Sequence, residues 1–588
     1  MYLRPALLSL LALGGCGIDP ITKPPAHTGI TETYTDDTGT TTWDDTGTTT
    51  TTDDTDTPPT DDTDTPPTDD TDESPPADDT GEPGDPYTGL DLYPVRMVVH
   101  PGATWTVRAV ATARDGGRAD AIGVVYGADD PAVATIDAAG LVTAIGEGTT
   151  NIHANFDTLH TLAQIEVRND GVMTVRVVDS SGTPIVGAHV GRRDTDYVET
   201  DASGVALWPV DTSGPETVTA WNGAGWSSTT VVDTVSRTLT LSLLPDDWDG
   251  WDSDITGYAG FADVEDADFG EVVAGLAAAA IHGWPTAFEL EQLFSEDREF
   301  TFYGIDVTAP ANLFVEDVED SYVAESEAGD VAVWAMAGPL SVTDLSAGFS
   351  GSGEAISLLI DNLGSMTWGY RGGGTVSAGG SVELNVQPDS PFSDATTATV
   401  PSLSVGFNGA ETVLMVAMEE TPEGWLVSGF GSGAAGDSVA VQHVGAAAVP
   451  GSTGRAIMAF AQVGGLGSGD GSCVTAGEVV GGSVVFPPLM EVGTVSFADR
   501  DVTYTVDSAA DFVHVRLDDS RGHIQDVYSE GSWSGRVPDV LERFADSDVT
   551  IKVLAADTTR GNFEDQVSSG ALSVESLLPD TTCRAVYH

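Results

Sequence analysis

The sequence predicts an all-β, multidomain chain: tandem β-sandwiches after a disordered linker, with one or two short helices in the C-terminal region. Three observations carry that expectation. Apolar and polar residues alternate with period two through much of the chain, as they do on a strand with one face toward a core. Glycine is abundant, at 68 of 588 residues, and Thr, Val and Ser recur between turn-forming clusters, whereas runs of helical period longer than a dozen residues are few. The length exceeds what one hydrophobic core can serve, and a prior of roughly 100 to 200 residues per domain divides the chain into about three or four modules once leader and linker are set aside.

Leu7 to Cys16 reads Leu-Leu-Ser-Leu-Leu-Ala-Leu-Gly-Gly-Cys. Arg4 supplies a positive start, and the apolar run has about half the length needed to span a bilayer, which describes a processed signal rather than an anchor. Leu13-Gly14-Gly15-Cys16 resembles the bacterial lipobox. The resemblance implies cleavage before Cys16, acylation of its thiol and new amino group, and attachment to a membrane; each buried methylene adds roughly 0.8 kcal/mol. An ordinary secretory signal with an incidental cysteine is the other reading. Residues 1–16 are thus taken as a lipoprotein signal peptide and lipobox, and the protein is placed in the bacterial cell envelope. Gly17 and Ile18 do not resemble an inner-membrane retention signal, which favours an outer-membrane lipoprotein.

Residues 17–87 form the expected linker. They hold almost no large apolar residues and contain the tandem repeat Thr57 to Asp64 and Thr65 to Asp72. From Gly17 to Pro86 there are 20 Asp and Glu against the lone Lys23. Such a stretch cannot bury enough surface to fold. Charge repulsion and proline stiffness set its reach between roughly 45 Å as a coil and 200 Å as polyproline II. Its threonines are also candidates for O-linked sugars.

The net charge of -70 and the presence of two lysines, Lys23 and Lys552, argue against nucleic acid as a partner, because phosphate binding is driven by Lys and Arg neutralisation. An acidic surface keeps an exported protein soluble; a sharper reading is weak divalent cation binding at many sites. The three cysteines are Cys16, Cys473 and Cys583. If Cys16 carries lipid, Cys473 and Cys583 are left as an intramolecular disulfide or as two buried thiols. An oxidising compartment permits the bond, and closing a loop of about 110 residues would add roughly 4 to 5 kcal/mol.

The first module, 88–168, begins with Met97 and Val99 and then Trp105, Val107, Ala109 and Ala111 in strand alternation. Asp129 to Ala144 reads as two short strands round a glycine turn, and Ile145 to Ala154 turns into a third. The run Pro131-Ala132-Val133-Ala134-Thr135-Ile136-Asp137, Gly140-Leu141-Val142-Thr143-Ala144 and Ile145-Gly146-Glu147-Gly148-Thr149 resembles the bacterial immunoglobulin-like domain of group 2. That family implies a β-sandwich used as a spacer or adhesive module on cell surfaces, with no catalytic residues to carry over. His153 and His160 lie beside it. Alternation sets His153 opposite Ile152, which reads as a solvent-facing histidine rather than a ligand.

The second module, 171–244, alternates Met173, Val175 and Val177 with Thr174 and Arg176 and turns at Asp179-Ser180-Ser181-Gly182. With Pro184 to Val190 and Thr200-Asp201-Ala202-Ser203-Gly204 it is similar to carboxypeptidase regulatory-like domains. These are transthyretin-like sandwiches of accessory role, and no zinc ligands accompany the pattern here. Trp208, Trp221 and Trp226 within it, and Trp248 and Trp251 just beyond, are expected to fill the core and seal a junction, although exposed tryptophans could stack on sugars. The acids round Trp248 miss the calcium-loop spacing.

Residues 245–588 read as a β-rich C-terminal region of one or two subdomains. Extended segments include Phe300 to Val307, Asp330 to Met336, Thr412 to Met418, Trp425 to Phe430, Ala456 to Gln462, Phe512 to Leu517 and Val549 to Leu554. Glu271 to Ile281 fits a helix or a small-residue strand. Thr286 and Glu289 have capping-box spacing ahead of Leu290, Leu293 and Phe294, and Glu354 to Leu363 places Ile356, Leu359, Ile360 and Leu363 on one helical face.

No chemical motif emerges. None of Ser350, Ser432, Ser468 and Ser534 has both glycines of a nucleophile elbow, there is no His-Glu-x-x-His or Cys-x-x-Cys, and neither lysine sits in a phosphate-cradling loop. His282, His443, His514, His523 and His588 are scattered. No catalytic residue, metal ligand or cofactor is nominated. The reading is a lipid-anchored envelope protein displaying β-sandwich modules for adhesion or envelope architecture, non-catalytic, with a glycan or protein ligand. The alternative is a surface glycan hydrolase or lyase with accessory β-domains, since a carboxylate pair suffices for that chemistry.

Overall fold

The structure is a computed structural model that describes residues 86–587, with breaks at 246–252, 283–292, 344–351, 464–470, 537–548 and 570–579 and at a few shorter points. The fold is all-β. Among the described residues the α-helices are two short ones in the C-terminal region, Ser352–Asn362 and Phe563–Ser569. Cys16, the linker up to Asp85, the capping-box residues Thr286 and Glu289, and Trp248 and Trp251 lie outside the described residues, whereas Tyr87, at the linker's expected end, already belongs to the first strand.

In the first module, strands Tyr87–Tyr93, Arg108–Ala113 and Arg118–Asp120 form one sheet, and Arg96–Val99, Leu159–Val167, Gly148–Phe156 and Val125–Ala128 form another. Their inner faces meet through Leu92, Met97, Val107, Ile152, Ala154 and Ile165. The alternation read from Trp105 to Ala111 is real, yet it serves two sheets. Thr104–Thr106 pairs with Leu141–Ala144, whereas Arg108–Ala113 pairs with Tyr87–Tyr93, so the chain changes sheets at Val107. The turn at Asp137 is built as its residues require: the Asp137 carboxylate accepts the Ala139 and Leu141 amides at 2.9 Å. Gly140 adopts φ +84°, and a Cβ there would stand 2.9 Å from the Val107 carbonyl, so only glycine fits without a shift.

The second module sets Val172–Val178 between Val205–Pro209 and Thr238–Ser242, facing a sheet of Asp196–Glu199, His189–Arg193, Glu216–Trp221 and Ser228–Thr234. Met173, Val175, Val177, Trp208 and Leu241 are buried between the layers. The core does not end at residue 244: Phe512, Tyr528, Leu554, Phe563 and Val567 belong to the same apolar cluster. Ser228–Thr234 pairs in parallel with Ile524–Ser529, matching Thr230 with Val527. The second module's sheet therefore continues, through Phe512–Asp519, Val549–Asp557 and Thr581–Tyr587, into Gly471–Val480. This strand opens a ring.

Gly454–Gln462, Val413–Thr421, Gly424–Gly433, Ser438–His443, Asp394–Thr399 and Ser483–Val484 follow Gly471–Val480, and Ser483–Val484 pairs back onto it through Val479↔Val484. Ring closure leaves these strands no free edge. Val413, Met415, Ala417, Ile457, Ala459, Val441 and Cys473 fill the interior. Leu414, Val416, Met418, Met458 and Phe460 face outward onto Trp334, Met336, Trp368, Leu359 of the helix and Leu363 just after it. Burial of both faces explains the unbroken apolar run Val413 to Met418 in the strand Val413–Thr421. The ring turns tightly where side chains are absent: a Cβ on Gly429 would stand 2.1 Å from the Gln442 carbonyl oxygen.

Outside the ring lies the sheet Leu313–Val315, Glu271–Ala279, Gly329–Ser341, Thr367–Val376 and Ser390–Pro391. A further layer of Ser321–Ser326, Ser253–Tyr258 and Ser381–Glu383 covers its other face through Ile255, Ala277, Val333, Tyr322 and Ala335. Glu271–Ala279 is thus a central strand covered on both sides, which settles the helix-or-strand alternative. The segment Phe300 to Val307 is a hairpin of Asp297–Phe302 with Ile305–Pro310 rather than one strand.

Candidate functional site

Cys473 and Cys583 oppose each other across antiparallel strands Gly471–Val480 and Thr581–Tyr587 and are joined as a disulfide, with sequence separation 110. Both are buried in the apolar cluster that also fills the ring interior. Lys552 is half-exposed and faces Asp518 at 3.4 Å. Trp208 is buried and its neighbour Leu207 exposed, as strand alternation requires; Trp221 is buried on a strand where Thr219 and Ala220 are buried as well.

The buried charged groups join strands. On adjacent strands, Asp526 accepts hydrogen bonds from His514 Nε2 at 2.7 Å and from Arg516 Nε at 2.9 Å. Burial alone would push this carboxyl up, but the Arg516 guanidinium and the His514 hydrogen bond hold it below the usual carboxylate range. In the ring, Arg455 donates to Glu419, and His443 is hydrogen-bonded to Thr396 Oγ1 at 2.9 Å. Burial lowers the His443 pKa, which favours the neutral ring.

A further charged assembly lies where the first two modules meet the C-terminal region. Arg108, on the first module, forms ion pairs with Asp120 and Asp511, approaches Asp557 at 3.8 Å, and donates to the Thr558 carbonyl at 2.5 Å. Arg118 donates to Asp91 at 2.7 Å and to the Thr559 carbonyl at 3.2 Å. Burial, the Asp511 charge and a hydrogen bond with Asp511 push the Asp557 carboxyl upward. The helix Phe563–Ser569 inserts Glu564 completely: it accepts Thr234 Oγ1 at 2.8 Å and the Val235 amide at 3.0 Å. Burial pushes its pKa up to about 7 despite those bonds. The next residue, Asp565, accepts the Val95 amide at 3.0 Å. One short helix thus pins both preceding modules. Sequence reading missed Arg108, Asp511, Asp557 and Glu564, because strand alternation marks a polar side chain as outward without saying what covers it.

A second cluster lies on the outward face of the first module. The hairpin Gly148–Phe156 with Leu159–Val167 presents Asn151, His153, Asn155, His160, Leu162 and Gln164 away from the core, with His153↔Leu162 and Asn155↔His160 in register. His153 is outward as alternation predicts, with its side chain 26% exposed. His153 Nδ1 lies 3.2 Å from His160 Nε2, and His153 Nε2 lies 2.5 Å from Asp129 Oδ1. Asn151 Nδ2 donates to the other Asp129 oxygen at 2.8 Å. The His153 and Asn151 hydrogen bonds lower the Asp129 pKa. Among the described residues no group of three or more His, Cys, Asp or Glu side chains is arranged to hold a metal ion.

No family model matches the sequence, and no curated protein matches it. The chain is similar to domains 5–6 of the S-layer protein SbsC, at 12% identity over 42% of this chain and 90% of that one, with a TM-score of 0.14. Domains 4–9 of the surface layer protein SbsC match at 10% identity over 83% of each chain, with a TM-score of 0.15. A tetra-tandem repeat in the extending region of a large adhesion protein matches at 13% identity over 79% of this chain and 96% of that one, with a TM-score of 0.11.

Proposed function

We propose that the protein is a lipid-anchored component of the bacterial cell envelope, held at the outer membrane through Cys16. The acidic stretch 17–87 carries the modules 88–168 and 171–244 and the region 245–588 away from the lipid, for adhesion or envelope architecture and without turnover. The observation that carries the architectural reading is the use of buried charge. Arg108 with Asp511 and Asp557, Glu564 with Thr234 and Val235, and Asp526 with Arg516 and His514 each bind one strand or module to another. Desolvating such groups is costly, and the return here is a fixed relation between modules, which suits a protein that transmits or resists force. The apolar Leu7 to Cys16 run and the charge-repelled repeat that follows support the anchor and the reach.

Replacing Cys16 tests this reading. The parent chain is expected to fractionate with membranes and the Cys16→Ser variant to leave them. A parent chain recovered wholly in the medium contradicts the anchor.

A further inference from the structure

We propose that His153 and His160 form a two-histidine site for a divalent transition-metal ion on the outward face of the first module, with Asp129 as a positioning residue behind His153. The two rings are diagonal neighbours on adjacent antiparallel strands, since His153 opposes Leu162 and His160 opposes Asn155. Diagonal side chains on one sheet face are within reach of each other, and here the facing nitrogens stand 3.2 Å apart. An imidazole nitrogen binds zinc-like ions at about 2.0–2.1 Å. One ion touching both nitrogens would subtend an angle of about 100° there, between octahedral and tetrahedral values.

Asp129 decides which nitrogen of His153 is available. It takes the Nε2 proton as a hydrogen bond, leaving the Nδ1 lone pair toward His160, and Asn151 fixes the carboxylate in turn. A carboxylate behind a ligating histidine is the usual outer-shell arrangement at metal sites. In the ion-free pair, His160 Nε2–H donates to His153 Nδ1. On binding, that proton passes to His160 Nδ1 through solvent, so the ring stays neutral and its Nε2 lone pair faces the ion. The chain supplies two donors, so water or a donor from an opposing surface completes the coordination. Nitrogen donors select copper, nickel or zinc over calcium and magnesium, which separates this site from diffuse attraction of cations to a chain of net charge -70.

The test uses the untagged full chain with one equivalent of Cu²⁺, read by electron paramagnetic resonance, where nitrogen hyperfine splitting separates imidazole from carboxylate ligation. The parent is expected to show nitrogen ligation that Zn²⁺ displaces. His153→Gln and His160→Gln each weaken it at least tenfold, and Asp129→Asn weakens it about tenfold while keeping the nitrogen pattern. Circular dichroism matching the parent shows that each variant is folded. A first equivalent without nitrogen splitting, or splitting unchanged in both histidine variants, overturns the proposal.

Discussion

Arg108 stands at the meeting of two carboxylates from a distant part of the chain, Asp511 and Asp557, and is itself mostly buried. Replacing it by methionine keeps the length and removes the charge, leaving two adjacent acids uncompensated in a low-dielectric setting. Arg108→Met is expected to lower unfolding free energy by roughly 2 to 4 kcal/mol, measured by denaturant titration. Glu564 gives the pH dependence its sign. Its pKa is raised from 4.5 to about 7 in the folded chain, so the folded state holds a proton that the unfolded state releases across that interval. Its contribution is therefore complete below about pH 4.5 and lost as pH rises through 7, by about 3 kcal/mol. Asp557, raised by burial and Asp511, acts with the same sign. Glu564→Gln, whose amide can still accept from Val235 and donate to Thr234, is expected to be more stable than the parent at pH 8 and to flatten the decline in melting temperature between pH 5 and 8. An unchanged pH profile would show that Glu564 is not the group responsible. Neither Arg108 nor Glu564 carries a local sequence signal for these joints, because Asp511 lies 403 positions from Arg108 and Thr234 lies 330 from Glu564.

At the scale of single elements, the sequence was most legible where one face of a strand meets solvent. In Gly148–Phe156 the buried Thr150, Ile152 and Ala154 alternate with outward Asn151, His153 and Asn155, and the pattern alone assigns each face. It was least legible where both faces are covered. Glu271–Ala279 is buried from its second residue onward, so periodicity vanishes and helix and strand look alike. The helix at Glu354 to Leu363 was readable because its apolar residues recur at helical spacing, and Leu359 and Leu363 of that stripe are buried against the outer sheet. Strands Ile524–Ser529 and Thr581–Tyr587 went unread; the first is buried along its whole length, Gln525 and Asp526 included. Thr581–Tyr587 carries the Cys583 end of the disulfide. Reducing that bond frees a loop with sequence separation 110. The unfolding free energy is expected to fall by roughly 4 to 5 kcal/mol, seen as a lower denaturant midpoint in the presence of reductant. A midpoint indifferent to reductant and to the Cys473→Ala, Cys583→Ala double substitution would mean that the bond adds nothing.

For the molecule as a whole, the fold class was legible and the sheet continuity was not. Pairing of Ser228–Thr234 with Ile524–Ser529 joins segments nearly 300 residues apart, and no turn or spacing announces such a contact. Its consequence is cooperative. Amides of both strands are expected to lose hydrogen-exchange protection together, as one unit, whereas independent modules would open separately. The same buried joints make the described chain suited to being displayed at a fixed geometry. That use depends on an anchor at the far end of the acidic stretch. The most direct test is mass spectrometry of the mature N-terminal peptide: the account predicts a chain that begins at Cys16 and carries acyl groups on its thiol and amine, and an unmodified Cys16 thiol in the mature protein would contradict it.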